Sequence, residues 1–285
     1  MICVMAAECR LQIMINCLIN TLKALPVQNV LTQHLKNRNQ DIRVVKNKLS
    51  FQILETKDIL DLSKKFLTYN FMKYPVLYSF RRCPYAMRAR MAILLANFKC
   101  ELREVHLKNK PHQMLSISPK GTVPVMVNES DIIEESLEII DLVMASKTIF
   151  KNNLSEDQIN QTNAVVKLFD ESFKYNLDRY KYAQRFDAKP LHYRKICVDY
   201  LKEIEMCIKG DWFFGNDIQK IDICILPFIR QFRIADIEWF DNFKEIPNIQ
   251  NYLNSFLSSS ILKNVMQKYD PWEEGDDLLI FPKDQ

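Results

Sequence analysis

The chain has 285 residues, 48% hydrophobic and 26% charged with both signs mixed, so it can bury a core in one large or two ordinary domains and does not read as disordered. Its formal charge of +4 is uneven: residues 1–72 hold ten Lys and Arg against five Asp and Glu, leaving 29 against 30 for the rest. No dense basic face or motif accompanies that surplus, which speaks against nucleic acid as a partner, and no apolar run approaches the ~18 residues of a membrane span.

Residues 1–72 contain no glycine and one proline, Pro26, and show no clean strand or turn pattern. Their opening Met1-Ile2-Cys3-Val4 is apolar, but it lacks a basic leader and is broken by Glu8 and Arg10, so it is a poor signal peptide and a cytoplasmic location is the default. A helix is expected over 57–69, where Ile59, Leu62, Phe66 and Leu67 share a face. The stretch reads either as an accessory segment or as an upstream extension that is not translated, since Met72 stands just before the first recognisable unit.

From Tyr74 strands and helices alternate. Val76 to Ser79 reads as a strand, Met87 to Ala96 as a helix rich in Ala, Arg, Met and Leu, and Glu101 to Leu107 as a strand. The helical crossover makes the two strands parallel. Val125-Met126-Val127 and Ile132-Ile133, joined by Asn128-Glu129-Ser130-Asp131, read as a hairpin, and a helix from Ser136 to about Met144 follows. This βαβ-ββα order over 73–146 predicts a small α/β unit with a mixed sheet. After a polar linker near 145–156, residues 156–275 carry only helical periodicity: 156–174, 190–208 with Tyr193, Tyr200, Ile204 and Ile208 on one face, Ile223 to Phe232 interrupted by Pro227, and a helix opening at Pro247.

Eight cysteines are scattered at positions 3, 9, 17, 83, 100, 197, 207 and 224, without Cys-x-x-Cys or zinc-ligand spacing, so no metal is expected and most read as small buried hydrophobes in a reducing compartment. Cys83 differs. It lies between the first strand and the first helix, with Pro84 at a favoured first helical position. Unpaired N–H groups and the positive helix end favour an anion there, so its pKa is expected to fall below that of a free cysteine, with Arg81, Arg82, Arg88 and Arg90 adding positive charge. A buried structural cysteine is the alternative.

Cys83-Pro84-Tyr85-Ala86 resembles the opening of the first helix in cysteine-type glutathione transferases, the omega-like and glutaredoxin-like members. The resemblance extends over roughly 74–275 and implies a thioredoxin-like domain followed by an all-α domain, with glutathione as cosubstrate and a possible homodimer. It implies that Lys110, in His106-Leu107-Lys108-Asn109-Lys110-Pro111, meets the glycyl carboxylate, that Val123 offers backbone bonds to the cysteinyl part beside a cis Pro124, and that Glu135 and Ser136 hold the γ-glutamyl end. Each has a physical reason as well: a helix opening on Ser136 favours a carboxylate, and Glu135 can pair with an α-amino group. Lys110 alone could equally be a solvated surface lysine.

Ala86 stands where a second redox cysteine would be, which leaves monothiol chemistry at Cys83 through a mixed disulfide with glutathione; the omega-like resemblance also implies reduction of dehydroascorbate or similar small oxidants. Tyr85 is a glutathione-side residue whose position inside the first turn suits packing or hydrogen bonding better than thiol activation. The alternatives are a conventional conjugating transferase acting on a small electrophile and a non-enzymatic module of the same fold. An acceptor would lie against the helical part, near Tyr180, Tyr182, Phe186 and Trp239. In the segment before Ile223, Gln219 stands where the family has a Ser or Thr cap, so the box completed by Asp222 is expected to be weakened, or Asp217 to cap instead; Asp222 is expected to be structural.

Overall fold

Strand β1 (Val76–Ser79) is buried on both faces, which a four-residue run of Val, Leu, Tyr and Ser tolerates only between two packed layers. Alternation along it sends Leu77 into one core and Val76 and Tyr78 into another. Helix α1 (Pro84–Ala96) carries the chain to β2 (Cys100–Glu104), which pairs with β1 in parallel as a helical crossover requires. After α2 (His112–Ile117) come β3 (Val125–Asn128), antiparallel to β1, and β4 (Asp131–Ile133), antiparallel to β3; α3 (Ser136–Ser146) then packs against α1. A fifth strand, β5 (Ile280–Phe281), returns from the far end of the chain to pair antiparallel with β2, giving the order β4-β3-β1-β2-β5.

This computed structural model describes residues 73–128, 131–150 and 154–283, all within one compact unit spanning Asp58–Gln285. The N-terminal stretch with its expected helix at 57–69 lies outside the described residues, as do two positions of the hairpin turn and 151–153 of the linker.

Local chemistry sets the element ends. Helix α1 begins at Pro84, the first helical position expected of it, with Cys83 as its extended N-cap; it stops at Asn97, which takes the left-handed conformation at φ 48° and bonds back to the carbonyls of Ile93 and Leu94. Strand β2 ends at Glu104 and not at Leu107, since His106 turns to bridge Asn109.

The helical half comprises α4 (Glu156–Leu168), a π-helical turn (Phe169–Phe173), α5 (Lys174–Lys181), α6 (Pro190–Glu205), α7 (Lys220–Ala235), α8 (Ile237–Asn242), α9 (Pro247–Ser258) and α10 (Ser260–Val265). Prolines open α6 and α9 as expected, and Ser155 closes a capping box with Gln158 at the start of α4. Helix α7 is buried over most of its length, Pro227 included, and shares with α1 and α3 a core in which Phe169 stacks on Phe173 at 4.4 Å. Asp222 is structural: its carboxylate accepts from Phe213 N (2.8 Å), Gln219 N (2.6 Å) and Tyr252 Oη (2.7 Å). The capping box expected to be weakened by Gln219 is therefore secured from the Asp222 side. Burial pushes the Asp222 carboxyl up to about 6, against the opposing pull of those hydrogen bonds.

Beyond α10 the chain re-crosses the sheet half. Trp272 N–H bonds to Glu104 O at 2.8 Å and its indole lies 4.1 Å from the Arg103 guanidinium; Leu102 N–H meets Leu279 O at 2.8 Å, and Lys99 Nζ meets Pro282 O at 2.8 Å. Among the described residues no helix is long and apolar enough to cross a membrane.

Candidate functional site

The loop between α2 and β3 contains Val123 and Pro124 and touches Cys83, Lys110 and Glu135. Ser118 Oγ donates to the Glu134 carboxylate; Lys120 Nζ pairs with Glu135 at 2.5 Å; and Val123 O accepts from Cys83 Sγ at 3.5 Å. Gly121 adopts φ +63°, where a side chain is strained, and a Cβ there would meet Leu115 at 3.2 Å and Lys110 Nζ at 3.4 Å. The Lys110 side chain thus lies against this loop. The Val123–Pro124 peptide is cis, as the resemblance implied.

Cys83 is half-buried at the mouth of α1, its own N–H closing a turn onto Phe80 O at 2.9 Å. The expected fall of its pKa is not what the structure gives. Burial raises the thiol, and this outweighs the hydrogen bonds from the Ala86 and Tyr85 N–H groups and the positive charge of Lys174 and Arg88. Helix-end stabilisation is present, but desolvation is larger.

Of the four arginines, two are fully buried. Arg88 donates through Nε to Cys224 O (2.8 Å), lies 2.7 Å from Asp170 and covers the Phe228 ring at 4.6 Å. Its N–H directions do not line up on the carboxylate, so the contact is an ion pair without a hydrogen bond. Arg90 donates to Ser79 Oγ at 2.7 Å and pairs with Glu104. Arg81 and Arg82 reach outward: Arg81 Nη1 contacts Met266 O at 3.4 Å, and the Arg82 guanidinium lies 5.2 Å from the Phe80 ring.

Tyr85 packs edge-on against Phe228, ring centroids 5.2 Å apart, and burial, reinforced by the Asp170 charge, pushes its hydroxyl up to about 12. That suits packing and not thiol activation. Ser136 is buried at the first position of α3, with Glu135 as the extended N-cap preceding it. Of the residues expected on an acceptor wall, Tyr180 and Trp239 make ring contacts with Phe232. The helical half reaches the thiol's surroundings through Asp170, Lys174 and Phe228, which no local motif marks; the apolar pattern in 156–174 points only to core. Among the described residues no group of three or more His, Cys, Asp or Glu could hold a metal ion.

Residues 77–147 match the family model described as Glutathione S-transferase, N-terminal domain. Glutathione S-transferase omega-1 of Sus scrofa is 34% identical over 170 residues, covering 56% of this chain and 68% of that protein. A probable maleylacetoacetate isomerase of Caenorhabditis elegans is 28% identical over 166 residues, 54% of this chain and 77% of the relative. Among solved structures, glutathione transferase Omega 3C from Trametes versicolor is similar with a TM-score of 0.58 at 18% identity, over 73% of this chain and 96% of that one, a likeness of fold.

Proposed function

Since this chain belongs to the glutathione S-transferase family, as an omega-like enzyme with a thioredoxin-like sheet and a helical half, we propose that it is a glutathione-dependent monothiol transferase working through Cys83. One observation carries the reading: Cys83 Sγ sits at the start of α1, 3.5 Å from Val123 O beside the cis Pro124, with Ala86 where a resolving thiol would stand.

In this reading the Cys83 thiolate attacks the glutathione sulfur of a mixed disulfide. The S–S bond breaks, the small thiol leaves and takes up a proton, and Cys83 carries glutathione as a new disulfide. A second glutathione thiolate attacks the glutathionyl sulfur and releases Cys83 with glutathione disulfide. Lys110 holds the glycyl carboxylate, Val123 and Pro124 the cysteinyl backbone, and Glu135 and Ser136 the γ-glutamyl end, while Tyr85 packs the base of the site. The same reading includes a cytosolic protein that forms a homodimer, which light scattering of the purified chain measures.

One observation favours a second reading, conjugation of glutathione to an electrophile. Cys83 is a hydrogen-bond donor to Val123 O whose thiol is raised by burial, and a neutral thiol is a poor nucleophile. The test is thiol transfer from a small glutathione mixed disulfide, run beside conjugation, with wild type and Cys83→Ser. Loss of transfer in the variant is expected. Full transfer without the sulfur, or conjugation alone in wild type, overturns the proposal.

A further inference from the structure

A buried network lies beneath the turn that presents Cys83, and the transfer chemistry makes no use of it. Glu104, the last residue of β2, accepts Arg81 N–H on one carboxylate oxygen at 2.9 Å and pairs through the other with Arg90 Nη2. Arg90 is fully buried and further held by Ser79 Oγ at 2.7 Å and Val265 O at 3.2 Å. The Glu104 carbonyl in turn accepts Trp272 N–H from the C-terminal segment. Arg81 is the second residue of the Phe80–Cys83 turn, so this turn is fixed at two backbone N–H groups: Cys83 onto Phe80 O, and Arg81 onto Glu104.

The sulfur's position depends on that turn. Cys83 closes the turn and is the extended N-cap of α1; its Sγ donates to Val123 O at 3.5 Å, and the Tyr85 and Ala86 N–H groups at the helix start favour its thiolate. Hydrogen bonds and helix-end effects weaken steeply with distance and misalignment, so a small displacement of the turn carries the sulfur away from Val123 O and from the positive end of α1. Glu104 comes from a different strand, which fixes the turn relative to the sheet as well as to α1.

We propose that Glu104 is a positioning residue for Cys83: its carboxylate, held by Arg90, anchors the Phe80–Cys83 turn through Arg81 N–H and keeps the sulfur at the start of α1, against Val123 O. The inference rests on Cys83 as the working thiol, and its test reads that thiol directly, without glutathione. Removing Glu104 alone would strand the buried Arg90 charge and unfold the chain for an unrelated reason. The informative pair is therefore Arg90→Met/Glu104→Gln against Arg90→Met/Glu104→Met. Both lack the ion pair; only glutamine keeps an oxygen for Arg81 N–H. The charged groups facing the sulfur, Arg88 from its own helix and Lys174 from α5, are untouched in both.

The measurement is the rate of alkylation by iodoacetamide at Cys83, resolved by peptide mass spectrometry across the titration of the thiol, with circular dichroism to confirm folding. The glutamine variant is expected within about twofold of wild type, and the methionine variant about tenfold slower at neutral pH with its pH midpoint moved up, as befits loss of one hydrogen bond to an anion. Equal rates in the two variants, or equal slowing of both, overturn the proposal. Glu104→Asp, which keeps the charge beside Arg90 but shortens the reach to Arg81, serves if the methionine variant does not fold; it is expected about threefold to fivefold slower than wild type, and a wild-type rate overturns the proposal. Should alkylation divide as expected while wild type shows no thiol transfer, the functional reading fails and the positioning role stands.

Discussion

The sheet half and the helical half both bury carboxylates, and the two sets serve different ends. In the helical half Asp222 and Glu205 meet helix termini and a tyrosine: Asp222 takes the N–H groups of Phe213 and Gln219 and the Tyr252 hydroxyl, while Glu205 takes those of Asn248 and Ile249 at 2.7 and 2.9 Å, capping α9 from α6. In the sheet half Glu104 and its partner Arg90 lie under the Cys83 turn, and Ser118 and Ser136 are buried beside the loop that gathers the other candidate groups. The difference teaches that a buried charge is a sign of function only when its partners are themselves tied to the site. A carboxylate that fills orphan helix donors holds the fold together wherever it lies.

That contrast is broken or sharpened first by Cys83→Ser. The change removes the proposed nucleophile from a half-buried position with little change in volume, so transfer activity is expected to fall by at least ~100-fold while the melting temperature stays within about 2 °C. Asp222→Ala should do the reverse. It leaves three buried donors unpaired and is expected to destabilise by about 3–5 kcal/mol in urea unfolding, while the folded fraction alkylates Cys83 at the wild-type rate. A stable Asp222→Ala, or one with an altered thiol, would erase the distinction between the halves.

A pH test sharpens it further. The folded Asp222 carboxyl sits at about 6, above the ~4 of an unfolded aspartate, so the folded state holds the extra proton between these values. The contribution of this group is greatest below about pH 4, declines as pH rises through 4 to 6, and is level above, by roughly 2–3 kcal/mol in all. Measured against Asp222→Asn, which cannot titrate, wild-type stability should therefore drop relative to the variant as pH rises from about 4 to 6. A constant difference would mean that the three donors hold the carboxylate ionised.

Much of the sheet half was legible because its signals are local. Cys83 next to Pro84, the short apolar run of β3 and the Glu135-Ser136 helix start each need only a few neighbouring residues to specify them. What escaped depends on distant partners. Strand β5 is two residues long and exists through its pairing with Cys100 and Glu101. Short helices such as α2 and α8 are six residues each, too brief for a periodic pattern. The Arg88–Asp170 pair joins residues that no motif links, and the thiol's raised pKa reflects burial, which a helix-end argument made on sequence omits.

The smallest expected effect concerns the pairing of Lys120 with Glu135, 48% and 61% exposed, at the proposed γ-glutamyl end. If Glu135 receives the α-amino group of glutathione, Lys120 competes for the same carboxylate. Lys120→Met is then expected to tighten glutathione binding by roughly twofold to fivefold, the worth of an exposed ion pair, with the gain shrinking as salt is added. Glu135→Gln should weaken binding by about tenfold, since a hydrogen bond to a charged group is lost and not merely exchanged. Isothermal titration with glutathione at low and high salt reads both. Weaker binding by Lys120→Met would instead give Lys120 a direct role on the γ-glutamyl carboxylate, leaving Glu135 to hold Lys120 in place and moving anion recognition from the Ser136 helix start to the loop that also meets Cys83.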